Sequence, residues 1–392
     1  MKRRSDGMAN AAKPLKIGLI LDTSLDPNDG VQQYVVNIGE WLRRQGHDVH
    51  YLVGQTERRQ LPNIHSLSRN IGVSFNGNRT TIPLPTSRRK LRQFIQSQDF
   101  DVLHVQTPHH PLMAQHLILA AGPRTAVVGT FHILPYGKLS AVGNRALGVW
   151  LKPSLKRFDK MLAVSSAAAE FCRHSFGLEA EVLPNVVDYR LFHDAKPLRQ
   201  YKDDKLTILF LGRLVPRKGG LLLLEAIARL KDSATKLPAF RVVICGRGPQ
   251  APKLRKFISR HCLQASVELV GFVDEADKPR YYASADVAVF PSRGGESFGI
   301  VLLEAMAGGQ AVVLAGDNPG YRSVLAPQPE LLFNPNSAEA LAEKLAYYMT
   351  HAADRRRLQA WAGRYAEQFD VGTVGTQLLA TYYAALHKRR GA

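Results

Sequence analysis

The chain has 392 residues, 45% hydrophobic and 22% charged, a soluble globular balance too long for one ordinary core, so two α/β units are expected. A net charge of +19 admits phosphorylated substrates, an anionic membrane or nucleic acid, but no zinc-finger spacing, aromatic RNA-binding motif or basic zipper supports the last. No apolar run reaches the roughly 18–20 residues that span a bilayer, and Cys172, Cys245 and Cys262 follow no metal or redox spacing, which fits a reducing cytoplasm.

In chain order, residues 1–14 are basic with no apolar segment behind them and read as a disordered tail rather than a secretory signal. Residues 16–21 form a strand, 22–30 a turn-rich loop, 31–45 an amphipathic helix stopped by Gly46, and 50–53 a second strand. Strands at 101–105, 126–130, 160–164 and 181–183, with helical segments between, make residues 15–190 a parallel sheet with helices on both faces. Polar residues 187–204 are the expected linker. The series restarts with strands at 207–211, 241–245, 267–270, 286–290 and 311–314, so residues 205–371 form a second Rossmann-like unit. Residues 372–392 read as a C-terminal helix, free to cross back to the first unit. Two such sheets place a cleft between them, where ligands bind.

Chemistry concentrates in the second unit. Arg293-Gly-Gly-Glu-Ser-Phe-Gly-Ile-Val-Leu-Leu-Glu304 follows a strand, and its Gly294 and Gly295 permit a turn that brings main-chain N–H groups close to a ligand. A helix is expected from about Phe298, and its unpartnered first N–H groups make an anion site. A phosphate there would repel carboxylates, so Glu296 and Glu304 are assigned to hydroxyls, on a sugar and a ribose. Gly212-Arg213 and Arg217-Lys218 follow the first strand of this unit, where cations can neutralise a diphosphate. Each feature has an ordinary reading beside it: Gly-Gly turns before helices are common in doubly wound sheets, and basic loops are often merely solvated. In the first unit, residues 86–95 set Arg88, Arg89, Lys90 and Arg92 against Leu91, Phe94 and Ile95. That pattern suits a helix lying on an anionic membrane, and equally a surface helix with a buried apolar edge.

Gly212-Arg213 with Lys218, Gly246-Arg-Gly248, and Glu296-Ser-Phe-Gly with Glu304 resemble the family-4 retaining glycosyltransferases of the two-domain GT-B fold, over nearly the whole chain from about Lys16. The resemblance implies Arg213 and Lys218 on the donor diphosphate, Glu296 on the donor sugar and Glu304 on the ribose. Gly212, Gly246, Gly295, Ser297, Phe298, Gly299 and Ile300 would complete the donor site, with no metal and no cofactor. Gly30-Val-Gln32 and Thr130-Phe-His132 are similar to the phosphatidylinositol α-mannosyltransferase branch. That implies Gly30 near the donor phosphates and His132 near the transferred sugar or the acceptor, although Asp29 is an awkward neighbour for a diphosphate. Gly271-Phe-Val-Asp-Glu-Ala-Asp-Lys278 resembles the base-binding segment of that branch, with Val273, Glu275 and Lys278 in it. A carboxylate and an ammonium match the guanine edge better than uracil. Asn76, Gly77 and Arg79 are similar to an inositol-lipid headgroup site, and residues 86–95 occupy the membrane-docking position.

The resulting expectation is a cytoplasmic enzyme, peripheral on the inner face of the cell membrane. It would move a hexose, mannose from GDP-mannose, onto an anionic lipid headgroup such as phosphatidylinositol, with no nucleic acid partner. The alternatives are a soluble transferase using a UDP- or ADP-sugar, a non-hydrolytic nucleotide-sugar epimerase, and a basic membrane- or nucleic-acid-binding module.

Overall fold

A computed structural model describes residues 13–391 apart from 28, 59, 76–77, 135–137 and 234–235. The first half runs β1 (Lys16–Leu21), α1 (Gly30–Arg44), β2 (Asp48–Gly54), β3 (Ile64–Ser68), β4 (Asn70–Phe75), β5 (Asn78–Pro83) and α2 (Arg88–Gln98). It continues with β6 (Val102–Val105), α3 (Met113–Ala120), β7 (Ala126–Phe131), α4 (Lys138–Leu155), β8 (Lys160–Ala163), α5 (Ser166–Phe176) and β9 (Glu181–Val182). The seven-stranded sheet has the order β3-β2-β1-β6-β7-β8-β9, with every recorded pair parallel. Each central strand is buried along its whole length because helices cover both faces.

The second half holds α6 (Tyr189–His193), β10 (Leu206–Leu211), α7 (Gly220–Asp232), β11 (Phe240–Cys245), α8 (Ala251–Arg260), β12 (Val267–Gly271), α9 (Lys278–Ala283) and β13 (Val287–Phe290). After these come α10 (Ile300–Ala307), β14 (Val312–Gly316), α11 (Pro319–Leu325), β15 (Leu332–Phe333), α12 (Ala338–Thr350), α13 (Ala352–Ala366) and α14 (Val371–Arg390). The second sheet has the order β12-β11-β10-β13-β14-β15. These are two Rossmann-like units with parallel sheets.

The polar stretch 187–204 joins the two halves and is packed as it does so: α6 buries Phe192 against Tyr282, and the Leu198 amide donates to Ser284 at 2.8 Å. The crossing between the halves is two chain segments held side by side, the Val187 amide donating to Phe369 and the Val371 amide to Val187, both at 3.0 Å. Just beyond that doubled crossing, α14 returns to the first half, where Val374, Leu378 and Tyr382 enter the core beneath α1 and the Tyr382 hydroxyl meets His104 at 2.7 Å. The helix at 86–95 has the buried apolar edge that one of its two readings expected. Its apolar edge, Leu91 and Ile95 with Phe94 beside them, is sunk in the core between α3 and the sheet, and Arg88, Arg89, Lys90, Arg92 and Gln93 face out.

Candidate active site

Both sheets point their carboxyl ends at one cleft, and the loops there meet. From the second half, the loop between β13 and α10 carries Glu296, and the short helical turn Pro216–Lys218 after β10 carries the cations. Gly219 has φ +73°, and a Cβ there would lie 2.1 Å from the Pro291 carbonyl oxygen, so only glycine lets this turn press against the end of β13. The consequence is a tight charge cluster. Glu296 Oε1 takes Arg217 Nη1 at 2.5 Å, Lys218 Nζ at 2.8 Å and the Ser292 hydroxyl at 2.7 Å. Burial alone would raise this carboxyl, but Lys218 and Arg217 outweigh it and hold it at about 2. All three partners converge on Oε1, which leaves Oε2 to accept from a further donor such as a sugar hydroxyl. Arg217, quoted in the sequence motif but not assigned a role, thus joins the set.

Arg213 reaches across the cleft to Asp29, 3.5 Å from Nη1 to Oδ2. The residue that looked out of place beside a diphosphate is therefore the present partner of a cation expected to bind one. Gly30 lies directly against the second half, since a Cβ on it would come 3.1 Å from Ile300 Cδ1. Gly246 has a steric role: its φ is +145° and a Cβ would fall 1.9 Å from the Gly212 carbonyl oxygen, so it lets the Gly212–Arg213 loop close over it. Gly295 adopts φ +69° in the Glu296 turn, and α10 begins at Ile300 rather than near Phe298. Phe298 is buried against Phe369, which leaves its main chain as its link to the site.

The base-binding segment departs most from expectation. Lys278 is buried, with its ammonium 2.9 Å from Glu304 Oε1 and 2.7 Å from Glu275 Oε2. Burial favours its neutral form, but the two carboxylates carry the pKa above the ordinary lysine value. It is an internal counter-ion, not a free ammonium for a base edge. Glu304 also accepts from the Tyr282 hydroxyl at 3.1 Å, so a ribose would share a carboxylate already held in place. Glu275 is the more open group and takes Gln33 Nε2 from the first half at 3.1 Å; Val273 is half-buried beside it.

On the facing side, His132 follows β7. Its carbonyl accepts from the Ser297 hydroxyl at 2.5 Å, and Ser165 after β8 donates to the Ser297 carbonyl at 2.6 Å, so one serine ties the Glu296 loop to two strand ends of the first half. The imidazole is buried, with Nε2 2.9 Å from Gln106 Oε1 and the Asn185 side chain as its further polar neighbour. Burial pushes its pKa down to about 3, so it stays neutral and serves as a hydrogen-bonding group, not a cation. Gln106 and Ser165 were not singled out in the sequence, though both follow strand ends facing the cleft. Asn76 and Gly77 lie outside the described residues, and Arg79 is placed on β5 by its backbone.

Facing Rossmann-like units with a cationic, carboxylate-anchored cleft define a GT-B glycosyltransferase. Family models agree: "Glycosyl transferases group 1" matches residues 194–364 and "Glycosyltransferase Family 4" residues 28–191. The chain is 34% identical to a phosphatidyl-myo-inositol mannosyltransferase of Mycolicibacterium smegmatis, over 94% of this chain and 93% of the relative. A GDP-mannose-dependent alpha-mannosyltransferase of the same organism is 27% identical, over 96% and 99%. In fold, a glycosyltransferase from Rickettsia africae superposes with a TM-score of 0.77 at 18% identity, covering 95% of this chain and 99% of that one. The chain belongs to the family-4 glycosyltransferases.

Proposed function

We propose that this enzyme is a retaining mannosyltransferase that moves mannose from GDP-mannose onto the inositol headgroup of phosphatidylinositol, working peripherally on the inner face of the cell membrane. The observation that carries the reading is the Glu296 cluster. It presents one free carboxylate oxygen for a sugar hydroxyl beside Arg213, Arg217 and Lys218, which answer a diphosphate. The names of the two mannosyltransferase relatives support mannose, guanine and an inositol lipid. In this reading the diphosphate displaces Asp29 from Arg213 as the donor enters. Bond breaking then places negative charge on the leaving diphosphate, where fixed cations stabilise it. The leaving phosphate oxygen takes the acceptor's proton on the same face of the sugar, so no protein nucleophile is required. Neutral His132, beside Gln106 and Asn185, would line the acceptor side of the transferred sugar. The chain's own cations meet the leaving-group charge in place of a divalent ion. Among the described residues no helix is long and apolar enough to cross a membrane, so attachment would run through the exposed cations of α2.

The test is a thermal-shift panel of GDP, UDP, ADP and their sugars, followed by transfer of labelled mannose to phosphatidylinositol with and without EDTA. A ligand that binds the folded state raises its stability by mass action. GDP and GDP-mannose are expected to raise Tm and labelled lipid to form in both conditions. A shift with UDP-sugars alone would overturn the donor, and product on a soluble sugar alone would overturn the acceptor.

A further inference from the structure

The first half has a second feature facing away from the cleft. Connections of one hand, moving in one direction across the sheet, set α2, α3 and α4 side by side on one face. The core agrees, since Leu91 and Ile95 of α2 share a cluster with Met113 and Leu117 of α3. These three helices contain no Asp or Glu at any position. Near the ends of this layer Asp159 binds Arg389 and Arg157 and Asp101 binds Arg390, while Asp99 at the end of α2 and Glu170 of the neighbouring α5 are exposed. Outward cations are Arg88, Arg89, Lys90 and Arg92 on α2, Lys152 on α4 and Lys156 just beyond it.

On this surface sit the two most exposed large apolar side chains of the described residues, Val149 at 75% and Trp150 at 65%, with Leu119 of α3 at 57%. They are adjacent on α4, on the side opposite Leu151 and Leu155, which are buried, while a Cβ on Gly148 would touch α5 at the Ser175 carbonyl. Packing therefore fixes α4 with this pair turned to water. A tryptophan beside an aliphatic residue, followed along the chain by Lys152 and Lys156, has the chemistry of a bilayer interface, where the indole is half apolar and half wet.

We propose that Val149 and Trp150 enter the headgroup region of an anionic bilayer, so that the protein docks by two helices, α2 through charge and α4 through insertion. This rests on the membrane reading above and adds an apolar anchor to it. Charge complementarity selects the occupant, because the same layer carries the exposed cations of α2 with Lys152 and Lys156, and an anionic lipid surface attracts them.

The experiment compares the full chain, a Val149→Ser/Trp150→Ser variant and an Arg88→Ser/Arg89→Ser/Lys90→Ser variant. Each is mixed with vesicles of phosphatidylcholine, with or without phosphatidylglycerol, some carrying brominated acyl chains. Wild-type tryptophan emission is expected to shift blue and be quenched by bromine on the phosphatidylglycerol vesicles. The α4 variant should lose that quenching and partition about tenfold more weakly, while keeping its Tm and its nucleotide-induced shift. The α2 variant should lose the salt-sensitive part of binding and keep the quenching. Equal partitioning of the α4 variant and wild type, with the α2 variant weakened, overturns the anchor and leaves membrane docking standing. Equal quenching on pure phosphatidylcholine overturns the anionic occupant. A dimer in sedimentation that the α4 substitutions abolish overturns it in favour of a second copy. No wild-type flotation on any vesicle removes both the anchor and the membrane reading.

Discussion

The two walls of the cleft are built on the same strand–helix alternation yet treat buried polarity in opposite ways. In the second half, charge is answered by charge: Glu296 by Arg217 and Lys218, Glu304 by Lys278. In the first half, the strand ends carry groups that are buried, uncharged and incompletely bonded. Burial pushes His104 and His132 down to about 3 and His110 to about 4, and His109 is lowered as well. Asp22 Oδ2, Thr107 Oγ1 and His109 Nδ1 are buried without a partner. An unmet buried polar atom costs roughly 1–3 kcal/mol, so this wall gains most from a ligand rich in hydroxyls. The charged wall holds its shape without a ligand. The donor side is thus pre-set by ion pairs and the acceptor side is completed by what it binds.

The sharpest break of that contrast is at Glu296. Glu296→Ala should lower kcat by about 100-fold or more, because a group aimed at the reacting sugar is lost, while donor KM stays level or falls as two cations are freed. Lys218→Ala should lower kcat/KM comparably with a raised donor KM. Since the two groups act as one unit, the double variant should lose far less than the product of the single losses. Steady-state kinetics with Tm as a folding control decides it. Additive losses would show that the pair does not work as a unit.

How far this contrast was legible follows from which interactions are local in sequence. Strands of both sheets stand out as apolar runs because helices bury both faces. β3 and the β4–β5 hairpin were missed because Ile64–Ser68 and Asn78–Pro83 alternate polar residues and lie away from the sheet centre. Glu296, Lys218 and Arg213 could be found because loops after strand ends face the cleft. The state of Lys278 could not. Glu275 and Lys278 look like a surface pair, and the carboxylate that buries the lysine is Glu304, 26 positions on. The apolar edge of α2 was equally undecidable, since a buried edge and a lipid-facing edge have one periodicity. Arg213 with Asp29 was hidden for a further reason: it joins the two halves, and sequence carries no signal of closure.

An intermediate effect tests the unmet wall at Asp22. Its Oδ1 accepts from the Ala114 amide at 2.6 Å, capping α3, while burial raises its pKa to about 7. The unfolded chain releases this proton near 3.8 and the folded chain near 7. Between those values the folded state binds more protons, so this group lowers stability as pH rises from about 4 to 7, and the loss is constant above. Asp22→Asn keeps an acceptor for Ala114 and removes the titration. The difference in unfolding free energy between variant and wild type should be near zero below pH 4 and grow to about 1–3 kcal/mol by pH 8. Urea titrations across that range measure it, and parallel curves would show that Asp22 is not held protonated.

The smallest effect is at Asp29, and its sign matters more than its size. The Asp29–Arg213 pair spans the cleft at 3.5 Å with side chains 46% and 35% exposed, a geometry worth at most about 1 kcal/mol. If the carboxylate occupies the position a diphosphate must take, Asp29→Asn releases Arg213 and donor KM should fall, by no more than about fivefold, with kcat nearly unchanged. The advantage should shrink as salt rises, because screening weakens the wild-type pair as well. If the pair instead serves mainly to draw the two halves together, the same substitution raises KM and slows turnover. One measurement of donor KM at two ionic strengths separates a competitor for the phosphate site from a clasp between the walls.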